Sequence, residues 1–353
     1  MASTGRTSPQ PAWRAIWQRA IAIVASETFL YILKRLAQAI LTLFLASALS
    51  FAIIQLAPGN YLDKLAQTPS ISEDTLNRLR EQFGLDRSPV QQYWRWLWQI
   101  LSQGNFGNSF NYQRPVADLL IERIPATLLL ALSSLILTWT IAIPLGIIGA
   151  IRQNSWLDRG LRAISYTAQG FPSFITALLL LFLAQNLSPL FPVGGMYSIF
   201  HADLSPIGKV LDVAWHMILP TLALSVTSFA GLQRIARGQL LDVLRQDYIR
   251  TARAKGLPEN RVIYVHALRN AINPLITLLG FEFANLLGGS FIAEFFFNWP
   301  GLGKLILESV MAQDLYLVMA SLMMGALMLI LGNLLADLLL KFVDPRIQLS
   351  NLK

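Results

Sequence analysis

The sequence contains no cysteine and little that favours water. With no thiol there is no disulfide frame, no thiolate metal ligand and no cysteine nucleophile. Only 14% of its 353 residues are charged, against roughly a quarter in an average soluble domain. Three histidines, His201, His216 and His266, are scattered without an H-x-x-x-H pair, which disfavours a metal centre built by this chain alone. No G-x-x-x-x-G-K-[ST] occurs, so no nucleoside triphosphate is cradled in the Walker manner. The serines have no evident histidine partner, which disfavours a membrane hydrolase. No secretory cleavage pattern appears. The first apolar run starts late and is long, and it is expected to stay in the protein.

What is present is hydrocarbon. No Asp, Glu, Lys or Arg occurs from Leu36 to Leu62, Ile124 to Ile151, Ala163 to Phe200, Val213 to Gln233, or Leu315 to Ala336. Asn270 to Ala293 holds only Glu282. A span needs about 20 mostly apolar residues. The windows predict an all-α polytopic membrane protein with six transmembrane helices, near 36–57, 126–150, 166–187, 213–234, 271–293 and 315–338.

The net charge of +8 fits nucleic acid in a soluble chain. In a polytopic one it marks cytoplasmic loops facing anionic lipid headgroups, so no nucleic-acid partner is expected. Arg6, Arg14, Arg19, Lys34 and Arg35 precede the first span. Arg152, Arg159 and Arg162 follow the second. Arg234, Arg237, Arg245, Arg250, Arg253, Lys255, Arg261 and Arg269 separate the fourth from the fifth, and Lys341, Arg346 and Lys353 follow the sixth. These are 19 of the 28 cations. The positive-inside rule puts that side, and both termini, in the cytoplasm.

Three stretches divide the chain. Residues 1–28 form a cytoplasmic tail, in which Trp13, Ile16, Trp17, Ala20 and Ile21 have the spacing of an interfacial amphipathic helix. Residues 29–125 hold the first span and a large external segment. There, Pro69 to Gln82 reads as a short helix capped by Ser72. "QQYWRWLWQIL" reads as a helix at headgroup level, with Tyr93, Trp94, Leu97, Trp98 and Leu101 on one stripe. A stacking platform for a ligand is the less common use of such aromatics. Residues 126–347 form the transmembrane core, with Pro144, Pro172 and Pro220 inside spans and Pro125 near the first turn of the second. The spans carry few ionisable groups and no clean internal repeat, which weighs against an ion-coupled secondary transporter. Glu282 and, one turn on, Asn285 are candidates to line a pathway. For Glu282 a substrate amine competes with the commoner role of a buried structural hydrogen bond.

One polar insert stands out, at 240–270. Leu240, Leu241, Leu244, Tyr248 and Ala252 make a helical stripe. Gly256 supplies a left-handed stop, and Pro258 with Glu259 opens a second helix. Periodicity alone leaves two readings open, a force-transmitting knuckle or a helix pair resting on lipid.

"DYIRTARAKGL", Asp247 to Leu257, resembles the EAA loop of ABC importer permeases, in the oligopeptide/dipeptide branch and its B-type subunit. The Ala-x3-Gly core falls on Ala252 and Gly256. "GLDRSPVQQYWRWL" (84–97), "GNFGNSF" (104–110), "RPVADLLIERIPATL" (114–128), "NWPGLGKLILESV" (298–310) and "VDPRI" (343–347) are similar to the same branch. Arg250 stands where the general pattern has Glu, which leaves the detailed docking contact open.

The resemblance implies a type I importer permease fold in a prokaryotic inner membrane. It implies a non-catalytic subunit that binds no cofactor itself, while ATP and Mg sit on two cytoplasmic ATPase subunits. A second homologous permease completes the pathway, and an extracytoplasmic binding protein delivers a di- or oligopeptide. Nickel chelates or glutathione are the alternative cargoes. Asp247, Tyr248, Arg250, Ala252, Arg253, Lys255, Gly256 and Leu257 then couple the subunit to the ATPases. Arg250, Arg253 and Lys255 supply charge, Ala252 permits close approach, and Gly256 permits the bend.

Overall fold

The computed structural model describes residues 27–59, 61–67, 71–187 and 190–343. The amphipathic helix expected around Trp13 to Ile21, and residues 344–347 of the terminal motif, lie outside them. The described chain is helical, its one extended pairing being an isolated bridge between Asn108 and Pro115. In chain order the helices are α1 (Glu27–Leu56), α2 (Tyr61–Leu65), α3 (Glu73–Gln82), α4 (Pro89–Gln103), α5 (Val116–Ile151), α6 (Trp156–Gly170) and α7 (Ser173–Asn186). Then follow α8 (Pro206–Leu244), α9 (Asp247–Ala254), α10 (Glu259–Ala271), α11 (Asn273–Phe296), α12 (Leu302–Ala312) and α13 (Leu315–Val343).

Four stretches are long and apolar enough to cross a membrane singly, one starting in α1 at Phe29 and the others in α5, α8 and α13. They answer to four of the six expected windows but overrun them. The second span starts at Val116, so Pro125 lies inside it rather than near its first turn. At 1.5 Å per residue, the 39 residues of α8 make a rod about 58 Å long, against a hydrocarbon core of about 30 Å.

The other two windows pass the same test only as bent helix pairs. The third was expected to run unbroken through 166–187. Instead α6 and α7 meet at 102°. Pro172 lacks a donor N–H and pushes Phe171 into an extended conformation (φ −88°, ψ 123°), which ends α6. The 14 residues of α7 reach only about 21 Å, too short to cross alone. The fifth runs through α11, and the 41° bend falls at its start, between α10 and α11. Pro274 sits in the first turn of α11, and Val262–Ala267 winds as a π-helix.

The centre of the bundle is the α5–α8 pair. Their axes come close because small residues face each other: a Cβ on Gly146 would lie 2.8 Å from that of Ala236. Hydroxyls glue the same seam, with Ser133 bonded to Thr221 at 3.0 Å and Ser225 donating to the Ser134 carbonyl at 3.3 Å. α11 packs on α5, α7, α8 and α13, and α1 lies on α13 at the periphery.

The segment from 58 to 115 folds over one end of the bundle. Ser72 caps α3, its Oγ accepting from the Thr75 N–H. The expected stripe on α4 is only partly the buried one. Tyr93 is buried and bonds Ser47, and Trp96, outside that stripe, is the fully buried indole, donating to the Phe106 carbonyl at 3.0 Å. Trp94, Trp98 and Leu101 are exposed, because the folded segment packs on the opposite side of the helix. Phe51, Phe83, Trp96, Phe110, Leu302 and Leu315 share this apolar core. At its heart Asp314, wholly buried, accepts from Ser109 Oγ (2.6 Å) and the Asn111 N–H (3.0 Å). Burial pushes its carboxyl above the ordinary range while these bonds pull the other way.

Candidate functional site

The polar insert lies at the opposite end of the bundle from this cap. The expected single helix through 240–254 is two: α8 ends at Leu244, Gln246 is extended (φ −71°, ψ 149°), and α9 begins at Asp247. α9 then closes as the sequence predicts. Gly256 is left-handed at φ +74°, and the Gly256 and Leu257 N–H groups return to the Arg253 and Ala252 carbonyls. Pro258 precedes α10, with Glu259 in its first turn. The outcome is a compact knuckle that bridges the two bundle helices α8 and α11.

Its side chains divide by face. Ile249 is fully buried and Ala252 nearly so, against Ile147, Ala150, Leu240 and Val262. Ala252 thus seats α9 on its own bundle. Outward stand Asp247 (94% exposed), Arg250 (73%) and Lys255, with Leu257 half-buried. Asp247 and Arg250 make only a long contact of 3.4 Å. Arg253 is committed: its guanidinium forks onto Glu259 at 2.6 and 3.1 Å, tying α9 to α10 across the Gly256 turn. That bond holds Arg253 above the usual guanidinium value. Tyr248 accepts from Asn270 at 2.9 Å, a second tie between the arms. A Cβ at Gly256 would meet nothing within 4 Å, so only its backbone conformation demands glycine.

Beside the knuckle a buried brace holds α6 to α8. Arg237 donates to Asp158 at 2.6 and 2.8 Å, and Asp158 is wholly buried. Ser165 donates to Gln233 at 2.8 Å on the same seam.

On α11, Phe281, Asn285, Gly288 and Phe295 are exposed at helical spacing, forming a face turned away from the rest of the bundle. Glu282 is half-buried at its edge. The structure brings Glu282 and Asn285 to one side of α11, apart from the knuckle.

The sequence reading missed the fully buried carboxylate of α11, Glu294. It accepts from Thr127 Oγ1 (2.7 Å), Ser290 Oγ (3.0 Å) and the N–H groups of Gly303 (2.7 Å) and Lys304 (3.1 Å). Its oxygens face the first turn of α12, whose N–H groups lack intrahelical acceptors. A Cβ on Gly301 would overlap the Glu294 carboxyl, and one on Gly303 would overlap the Phe291 backbone. Trp299 donates to the Ala126 carbonyl at 2.9 Å. "NWPGLGK" is therefore the corner that locks α11, α12 and α5 together.

Comparison with known proteins gives this architecture a family. Residues 142–349 match the model described as "Binding-protein-dependent transport system inner membrane component". Residues 28–131 match that of the N-terminal part of such components. The chain belongs to this family.

This permease is 40% identical over 319 residues to the oligopeptide transport system permease protein AppB of Bacillus subtilis (strain 168), covering 90% of this chain and 99% of that one. It is 35% identical over 334 residues to the dipeptide permease DppB of Escherichia coli (strain K12), covering 90% and 98%. It is 36% identical over 319 residues to the glutathione permease GsiC of the same organism, again 90% and 98%. Among solved structures, an inward-facing form of the MetNI methionine ABC transporter shares the fold, with a TM-score of 0.52 at 16% identity over 64% of this chain and 96% of that one. The permease is thus a multi-pass inner-membrane transport component with an importer-type helical fold.

Proposed function

We propose that this permease forms half of the translocation pathway of an ATP-driven importer for di- or oligopeptides. A second homologous permease supplies the other half, along the exposed α11 face that carries Phe281, Asn285 and Gly288. Two cytoplasmic ATPase subunits hold ATP and Mg, and an extracytoplasmic binding protein delivers cargo over the cap. The knuckle end, both termini included, faces the cytoplasm of a prokaryotic cell, by the cation asymmetry.

The observation that carries the reading is the two-faced knuckle. Ile249 and Ala252 are buried in its base while Asp247, Arg250 and Lys255 stand exposed at its tip. A rigid, charged projection braced to the bundle suits docking on another protein and returning its motion to α8 and α11. Tyr248, Arg253, Gly256 and Leu257 shape that projection rather than contact the ATPase through free charge. Family membership in a binding-protein-dependent system supports this over a self-sufficient secondary transporter or channel. Similarity to AppB and DppB supports peptide cargo, and similarity to GsiC supports a glutathione-like tripeptide as second reading.

The test is co-purification followed by transport. The tagged permease is expected to bring two ATPases and a second permease. In proteoliposomes, a peptide-loaded binding protein should raise ATP hydrolysis several-fold and drive peptide uptake. A permease that purifies alone and conducts without ATP would overturn the proposal.

A further inference from the structure

Near the knuckle end, α1 and α13 form a groove lined by Arg35, Gln38, Thr42, Ile330 and Asn333 among others. Its lower rim is a closed triad. Tyr31 donates to Asp337 (2.5 Å), and Arg35 donates to Tyr31 (2.7 Å) and to Asp337 (2.8 Å). Arg35 and Asp337 are the last charges before long uncharged runs, Leu36 to Leu62 on one helix and Leu315 to Ala336 on the other. They therefore mark the edge of the hydrocarbon.

Above that edge the groove is polar where lipid tails would be expected. Gln38 and Thr42 are exposed and Asn333 is half-buried, and none of the three has a hydrogen-bond partner among the described residues. An unpaired amide or hydroxyl at membrane depth costs several kcal/mol by transfer scales, about 2–7 each. A random greasy surface does not place three of them on one groove.

We propose that this groove binds one glycerophospholipid with an anionic headgroup, a site separate from the translocation pathway. The order of groups along the groove matches the order of groups along such a lipid. Arg35 uses two of the five N–H donors of a guanidinium on its neighbours, leaving others for a phosphate, and Lys34 stands exposed beside it. The amides of Gln38 and Asn333 follow at the level of the glycerol esters, then the Thr42 hydroxyl. Ala39, Leu41, Ile330 and Leu334 provide the apolar wall for an acyl chain. From Arg35 to Thr42 the rise is about 10 Å, comparable with an interfacial zone of about 5–8 Å per leaflet and the first carbons of the chains. In the proposed orientation the groove opens to the cytoplasmic leaflet, where anionic lipids supply the headgroup.

The experiment uses the complete purified complex in detergent with phosphatidylglycerol carrying a photoactivatable acyl group. Labelling should concentrate on the α1 and α13 peptides containing Gln38 and Asn333. Replacing both polar groups, Gln38→Leu with Asn333→Leu, should cut that labelling at least fivefold. It should also abolish the rise in thermal midpoint given by added phosphatidylglycerol. These replacements suit the membrane, so the variant should remain folded, and Thr42→Val serves as a milder second variant with a smaller loss. Inorganic phosphate at equal concentration should give no stabilisation. Unchanged labelling in the double variant, or labelling spread evenly over the outer face at Ile40 and Ile53, would overturn the site. So would equal stabilisation by inorganic phosphate, or a photoreactive residue at position 38 that links to another protein chain instead of lipid.

Discussion

Gly256 and Glu294 show two opposite ways in which one residue fixes a corner. At Gly256 the surroundings are open, and the left-handed backbone is the constraint. Gly256→Val should cost about 1–2 kcal/mol locally and should abolish uptake while the subunit stays in the membrane. Gly256→Asn should retain far more activity, because Asn tolerates that conformation. Uptake assays beside quantitative membrane blots check both, and normal transport by the valine variant would rule out the constraint. At Glu294 the backbone is ordinary and the crowding is everything. Glu294→Ala leaves four donors without their acceptor, an expected loss of about 3 kcal/mol or more. Glu294→Gln keeps the shape and should cost less. Thermal midpoints of the purified complex should rank parent above Gln above Ala. Glu282→Gln belongs to a different class. It should leave the midpoint unchanged while lowering uptake of cationic or free-amine peptides, and transport identical to the parent for every peptide would assign Glu282 to structure.

Among the elements, α6 depends on the brace to α8. Asp158→Ala would strand the Arg237 guanidinium, which is only 14% exposed, and breaking such a pair costs about 3–5 kcal/mol. Asp158→Ala combined with Arg237→Leu should recover part of that loss, since the stranded Arg237 charge is gone and the more exposed Arg162 loses only a 3.6 Å contact. Denaturation midpoints of the four forms of this cycle give the coupling directly, and additive losses would mean the pair is not a brace. Element boundaries also show what the sequence could and could not reveal. Charge-free length is a local property, so α1, α5, α8 and α13 were legible. The knuckle turn was legible too, since Gly256, Pro258 and Glu259 each state their role within three residues. Pro172 was visible, but whether a proline kinks a span or turns it through 102° depends on what α6 packs against. Glu294 was silent because its meaning lies with Thr127, which is far away in sequence. Trp96 was indistinguishable from Trp94 and Trp98 until the cap chose a side of α4.

Across the whole molecule, the cap and the knuckle should lie on opposite sides of the membrane. The absence of native cysteine makes the test clean. Gln67→Cys and Gln91→Cys, both at exposed positions, should react with an impermeant thiol reagent in intact cells. Lys255→Cys should react only after the membrane is opened. Labelling of all three from one side would overturn the orientation.

α8 joins these two surfaces without interruption, apart from the donor lost at Pro220. At its far end from the knuckle, Asp212 grips the preceding loop through the Ser198 N–H (3.0 Å) and His201 (2.7 Å). Such a rod is a lever. Over about 58 Å, a tilt of about 5° displaces one end by about 5 Å relative to the other. Pro220 stands 14 residues from one end and 24 from the other. A tilt about that residue would carry the knuckle end farther than the end beneath the cap.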